Sequence, residues 1–252
     1  MKPTSLDMAP NGPRWRCHVC GWIVVIRPSF FGDEICPRCG GLHSLSVHSD
    51  SAVESAQRQL CDLGAIFEFD EYAQAWKIDL SNRPVTDDTL TQLRMLEPIS
   101  ELDLSHTRIT NNGVASLAHI RSIEVLELGD TLITDEALSS IAQLESLEML
   151  GIDGTAITEF GLRCLAPLTK LWCLDLDRTS FTGTSISSLD CLQHLEWLFL
   201  SQTQIDDAVV ALLSSLNQLE ELWLIDTRIT PGGLRQLAIG LKTCVIHSKV
   251  SP

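Results

Sequence analysis

The sequence predicts an α/β solenoid, with a parallel sheet along one face and short helices along the other, preceded by a small unit organised around four cysteines. Three observations in the 252 residues carry this prediction. Apolar-x-apolar triplets recur every 24 residues; apolar residues at helical spacing follow each triplet; and two Cys-x2-Cys pairs stand ahead of the repeats. With 44% hydrophobic and 20% charged residues, the chain has enough apolar surface to build a core.

From the N-terminus, residues 1–14 read as a flexible tail: Met1 to Pro13 holds three prolines and an Asn-Gly pair, and lacks the apolar core of a secretory signal. Residues 15–46 form the four-cysteine unit. Cys17-His-Val-Cys20 and Cys36-Pro-Arg-Cys39 are separated by fifteen residues, a spacing at which two tight turns converge four thiolates on one metal ion. Gly21 and Gly40 follow the second cysteine of each pair, and Trp22 to Ile26 reads as a strand. This segment resembles zinc ribbons, and its knuckles also resemble rubredoxin-like domains that hold iron. The resemblance implies Zn²⁺ as a structural ion, with Fe as the alternative and a one-electron centre as its consequence. His18 reads as a surface residue beside a site already filled by thiolates; His43 and His48 would serve only if a cysteine were displaced.

Residues 47–76 read as a linker and cap. Ala52, Ala56, Leu60 and Leu63 lie at helical spacing over 51–64, and Ile66 to Lys77 reads as a hairpin or extended segment. Residues 77–243 then hold seven copies of the repeat, whose triplets begin at Ile78, Leu102, Leu126, Leu150, Leu174, Leu198 and Leu222. One copy cannot cover its own apolar edge, so the copies must stack. Three residues past most triplets comes Thr (107, 131, 155, 179, 203, 227), where a hydroxyl would satisfy turn groups left without partners; the first copy has Arg83 instead. The next threonine, as in Thr110, Thr134 and Thr158, is placed to cap the returning helix, and Thr230-Pro231 is a cap followed by proline at the first helical position. Residues 244–252 read as a closing strand and tail. The pattern resembles the leucine-rich repeat family in its 24-residue bacterial type, with Thr where LxxLxLxxN has Asn or Cys. That resemblance implies a curved leucine-rich-repeat solenoid and a protein partner.

In such a stack equivalent positions form columns, and residues between the two apolar strand positions face the concavity. One column reads Asp79, Asp103, Glu127, Gly151, Asp175, Phe199, Trp223, His247; the column ahead of the first Leu reads Lys77, Glu101, Val125, Met149, Cys173, Trp197, Glu221, Val245. Glu101, Asp153 and Asp177 extend the acid patch, while Trp197, Phe199 and Trp223 form an aromatic cluster suited to anchoring a partner. Asp175-Leu-Asp177 with Asp153 is a weaker candidate for Ca²⁺ or Mg²⁺. An open, wet concavity is expected to leave these carboxylates at ordinary pKa values, which argues against acid-base catalysis. Cys173 is the one thiol expected to face the concavity.

Eighteen basic against 33 acidic residues give a net charge of −15, which opposes nucleic acid and anionic membrane and favours a basic partner. Residues 1–48, with five basic and three acidic residues, carry +2, so the rest carries −17 and the two parts present different surfaces. No run reaches the roughly 18 apolar residues of a membrane span. Nine cysteines, four at metal spacing, argue against a disulfide framework and for a reducing, cytoplasmic compartment. No nucleophile elbow, phosphate loop, dinucleotide fingerprint or HExxH occurs. The sequence therefore reads as a noncatalytic interaction protein with a concave site for a protein or peptide bearing basic and apolar groups. A redox module with iron and a substrate receptor of a modifying complex are the alternatives; the oligomeric state is not encoded in any motif.

Overall fold

The computed structural model describes four short strands within the first 43 residues, and then residues 51–69, 76–96, 98–183, 189 and 192–249. Strand β1 (Arg14–Arg16) pairs antiparallel with β2 (Ile23–Val25), and β3 (Glu34–Ile35) with β4 (Leu42–His43). Cys17, Cys20, Cys36 and Cys39 lie outside the described residues.

Helix α1 (Ser51–Asp62) ends two residues before the stretch expected from its spacing, and Leu60 and Ala56 point from it into the core. Strand β5 (Ile66–Phe69) then pairs antiparallel with β6 (Trp76–Asp79), as a hairpin. From β6 onward every pairing is parallel: β7 (Ile99–Asp103), β8 (Val125–Glu127), β9 (Met149–Gly151), β10 (Cys173–Asp175), β11 (Trp197–Phe199), β12 (Glu221–Trp223) and β13 (Val245–His247). The strands lie side by side in chain order. The register pairs Leu102 with Leu126, Leu126 with Leu150, and so on to Leu222 with Ile246, so the 24-residue period becomes one continuous row.

That row is the core. Ile78, Leu102, Leu126, Leu150, Leu174, Leu198 and Leu222 are at most 1% exposed. A second row from Leu80 to Leu224 and a third from Ile109 to Ile229 are buried behind it. Full burial of one such side chain contributes about 1.5–3 kcal/mol, and stacking repeats that gain at each coil.

The turn threonines behave as the sequence predicts. Thr107, Thr131, Thr155, Thr179, Thr203 and Thr227 each donate Oγ1–H to the carbonyl three residues earlier, at 2.5–3.0 Å. The residue just before each threonine is left-handed: His106, Asp130, Gly154, Arg178, Gln202 and Asp226 have φ between +53° and +62°, as does Asn82 ahead of Arg83. Such a conformation costs about 1 kcal/mol or more outside glycine. It is held because its amide bonds to the next coil, as when His106 donates to Gly129 and Arg178 to Ser201. Arg83, which breaks the threonine column, lies against Gly64 in the cap, where a Cβ would stand 3.3 Å from its Nε.

The convex side mixes helix types. Copies one to three close with α2 (Asp87–Leu93), α3 (Asn111–Leu117) and α4 (Asp135–Ile141). Gly161–Leu165 is a 3₁₀ turn, Asp207–Val209 is 3₁₀ running into α5 (Val210–Leu213), and α6 (Pro231–Gly240) is the longest of the described helices within the repeats. The capping threonines do more than expected, because they link coils. Asp87 accepts from the amide and hydroxyl of Thr110 at 2.8 and 2.6 Å, Asp135 does the same for Thr158, and Asp207 for Thr230. Capping of their own helices is uneven: Thr110 and Thr230 accept from the Asn112 and Gly233 amides, whereas Thr134 makes no such bond.

Candidate functional site

The parallel register builds both concave columns as the repeat spacing predicts. Asp79 pairs with Asp103, Asp103 with Glu127, Glu127 with Gly151, Gly151 with Asp175, Asp175 with Phe199, Phe199 with Trp223 and Trp223 with His247. All the described members of the two columns are therefore neighbours about 4.8 Å apart.

Within the acid half, several carboxylates already have partners. Asp79 accepts from the amide and hydroxyl of Ser81, and Asp103 from the amide of Ser105, so these two side chains also close their own turns. Glu101 is paired with Lys77 at 2.6 Å. Asp153 does not join Asp175 and Asp177 around a cation site. It leans over Gly129 and is bonded by Arg178, which also bridges Asp130 through both of its terminal nitrogens at 3.0 and 2.6 Å. The Arg178 bonds hold the Asp130 carboxyl below its ordinary range. This bridge crosses Gly154, where a Cβ would overlap the Asp130 carboxylate. Asp177 accepts from the Ser201 amide at 2.5 Å, one coil along.

Glu127 and Asp175 overturn the expectation of an open, wet face. Gly151, between them in the column, leaves room into which the Glu127 carboxylate folds; a Cβ there would overlap it. Burial pushes Glu127 up to about 7, and the charges of Asp103, Asp175 and Asp153 add to the shift. Burial likewise lifts Asp175 to about 7, against the bond it accepts from the Asp177 amide. Desolvation of a carboxylate beside like charges is the physical cause in both. Cys173 is a correction of the same kind: it is buried, and burial followed by Glu127 and Asp175 pushes its thiol up to about 12, which leaves it inert at neutral pH.

In the aromatic half, Trp197, Phe199 and Trp223 are half-buried, less open than the exposed cluster expected from the sequence. Phe199 stacks on Trp223 with centroids 5.6 Å apart, and Trp223 stacks on His247 at 3.9 Å. Glu221 fixes this stack: its Oε2 accepts from Trp223 Nε1 at 3.1 Å and lies 3.3 Å from His247 Nε2. Trp197 meets Trp172 edge to face, at 84° and 5.2 Å. Trp172, Asp130 and Arg178 were not singled out by sequence reasoning. Trp172 stands in a further column, with Glu148, Glu196 and Glu220, that the same 24-residue step makes visible. These four line an open groove of about 570 Å³, together with Lys170, His194 and Trp197.

A protein-family model described as Leucine Rich repeat matches residues 98–118, the stretch that contains β7 and α3. No curated protein sequence matches the chain. Among solved structures, an internalin from Listeria monocytogenes is 23% identical with a TM-score of 0.51, covering 69% of this chain and 53% of that one. The chain thus spans about half the length of that protein. Internalin C2 from the same organism is 24% identical with a TM-score of 0.54, covering 81% of this chain and 86% of that one. These likenesses establish the leucine-rich repeat fold. Among the described residues, no helix is long and apolar enough to cross a membrane.

Proposed function

We propose that this protein is a noncatalytic interaction module whose concave face holds a protein or peptide partner, with an N-terminal ribbon built on zinc. The observation that carries the first part is the aromatic stack. Phe199, Trp223 and His247 are half-exposed and locked face to face, with Glu221 holding the indole, so they bury area on binding at little cost in side-chain entropy. The carboxylates of the adjoining half, from Asp79 to Asp175, favour a partner with basic groups beside its apolar ones. A chain with Phe199→Ala and Trp223→Ala should lose the partners that the wild type retains in native extract. Equal retention of the same proteins would reject the concave face as the site.

The zinc reading is supported by strand pairing. Cys17 and Cys20 fall in sequence between β1 and β2, and Cys36 and Cys39 between β3 and β4, so each pair belongs to the connection of one antiparallel ribbon. Two such knuckles suit a tetrahedral four-thiolate ion, which would supply much of the stability of so small a unit. Colourless protein carrying a single zinc equivalent is the expected result; visible absorbance from bound iron would replace this reading with the redox one. Free thiols at Cys61, Cys164, Cys173 and Cys244 fit the cytoplasmic compartment proposed here.

A further inference from the structure

At the edge where the chain enters the sheet, Trp197 of the concave column meets residues that the two columns do not include. Trp172 stands one residue ahead of β10 and Trp197 opens β11, and their rings meet at a right angle. Two indole planes so arranged form a corner with two π faces, and the corner opens onto the groove beside it. Glu148, Glu196 and Glu220 line that groove against one lysine, Lys170. Among the described residues, none of these three carboxylates is in an ion pair. An aromatic face attracts a cation through its quadrupole, and a nearby carboxylate supplies the counter-charge and accepts its N–H bonds.

We propose that the Trp172–Trp197 corner binds an arginine side chain of a basic peptide, the guanidinium stacking on indole while Glu196 and its neighbours accept its N–H groups. Arginine is favoured over lysine because its planar, weakly hydrated guanidinium both stacks and forks toward a carboxylate, whereas an ammonium in so open a groove would keep its water. The inference rests on the reading of this sheet as a binding surface and names the chemistry of the partner there.

The test uses the full chain and three short blocked peptides of one sequence, carrying arginine, lysine or the uncharged isostere citrulline, with binding followed by the indole N–H resonances. The arginine peptide should bind roughly tenfold tighter than the citrulline peptide and shift the resonances of Trp172 and Trp197. Trp172→Leu and, separately, Glu196→Gln should each weaken it several-fold; Glu196 is exposed, so its variant tests the corner without disturbing the core. Equal binding of the lysine or citrulline peptide, or no binding of any, would overturn the proposal. So would arginine binding that survives both variants but disappears with Phe199→Ala and Trp223→Ala, an outcome that leaves the concave-face reading standing.

Discussion

Along one sheet, strands β6, β7, β8 and β10 present carboxylates and strands β11 to β13 present rings, at positions of one column that pair residue for residue. Behind both halves the scaffold is the same. Leu126 and Leu198 are both fully buried, and Thr131 and Thr203 donate to the same carbonyl position at 2.7 and 2.6 Å. What differs is how each half resolves the crowding of like side chains a strand apart. Rings stack and gain from their contact. Carboxylates repel, so they bond to their own turns, pair with Lys77 or Arg178, or, at Glu127 and Asp175, hold their protons up to about neutral pH. A repeat scaffold thus separates stability from surface chemistry, and its concave face is free to vary from coil to coil.

The comparison is broken most severely through the core. Leu126→Ala and Leu198→Ala should each cost about 2–5 kcal/mol in chemical unfolding followed by circular dichroism, and by similar amounts. A large asymmetry between them would mean that the two halves do not share one scaffold. Next in size is Gly154→Ala, which adds a side chain at a left-handed residue beneath the Arg178 bridge. It should cost about 1–2 kcal/mol, more than Arg178→Ala, since an exposed ion pair contributes about 1 kcal/mol or less.

The raised carboxylates of the acid half should make stability depend on pH. Glu127 and Asp175 have folded pKa values near 7, above unfolded values of about 4.3 and 3.9, so the unfolded chain releases these protons first. Their contribution is fully present below about pH 4 and is lost as pH rises through about 7; after discounting for solvent screening of these partly exposed carboxylates, stability falls across that window by of the order of 1–2 kcal/mol per group. Glu127→Gln should flatten part of this slope, whereas Phe199→Leu should leave it unchanged; an unaltered slope in the glutamine variant would exclude Glu127 as its source. An effect of about 1 kcal/mol is expected for Thr131→Val or Thr203→Val, each leaving a turn carbonyl without its bond.

Much of this molecule is legible from spacing. The strand triplets, the turn threonines, the parallel register and both concave columns all follow from a 24-residue period, because stacking converts sequence distance into position. Three features of the site do not follow from it. Gly151 gives no hint that Glu127 will fold into the space it leaves. Arg178 reaches Asp130 forty-eight residues back across Gly154, a contact that exists only because two turns lie over one another. Trp172 sits just ahead of the strand, where alternation no longer tells which way a side chain points, so its partnership with Trp197 depends on how the chain enters the sheet.

The sequence by itself determined the architecture and the order of side chains along the concave wall, since apolar residues at a fixed period have one economical way to leave water. Only the tertiary structure decided which of those side chains are charged, paired or stacked. Desolvation, ion pairing and ring contact depend on distances between coils, and those distances are set by how much room each neighbouring coil leaves.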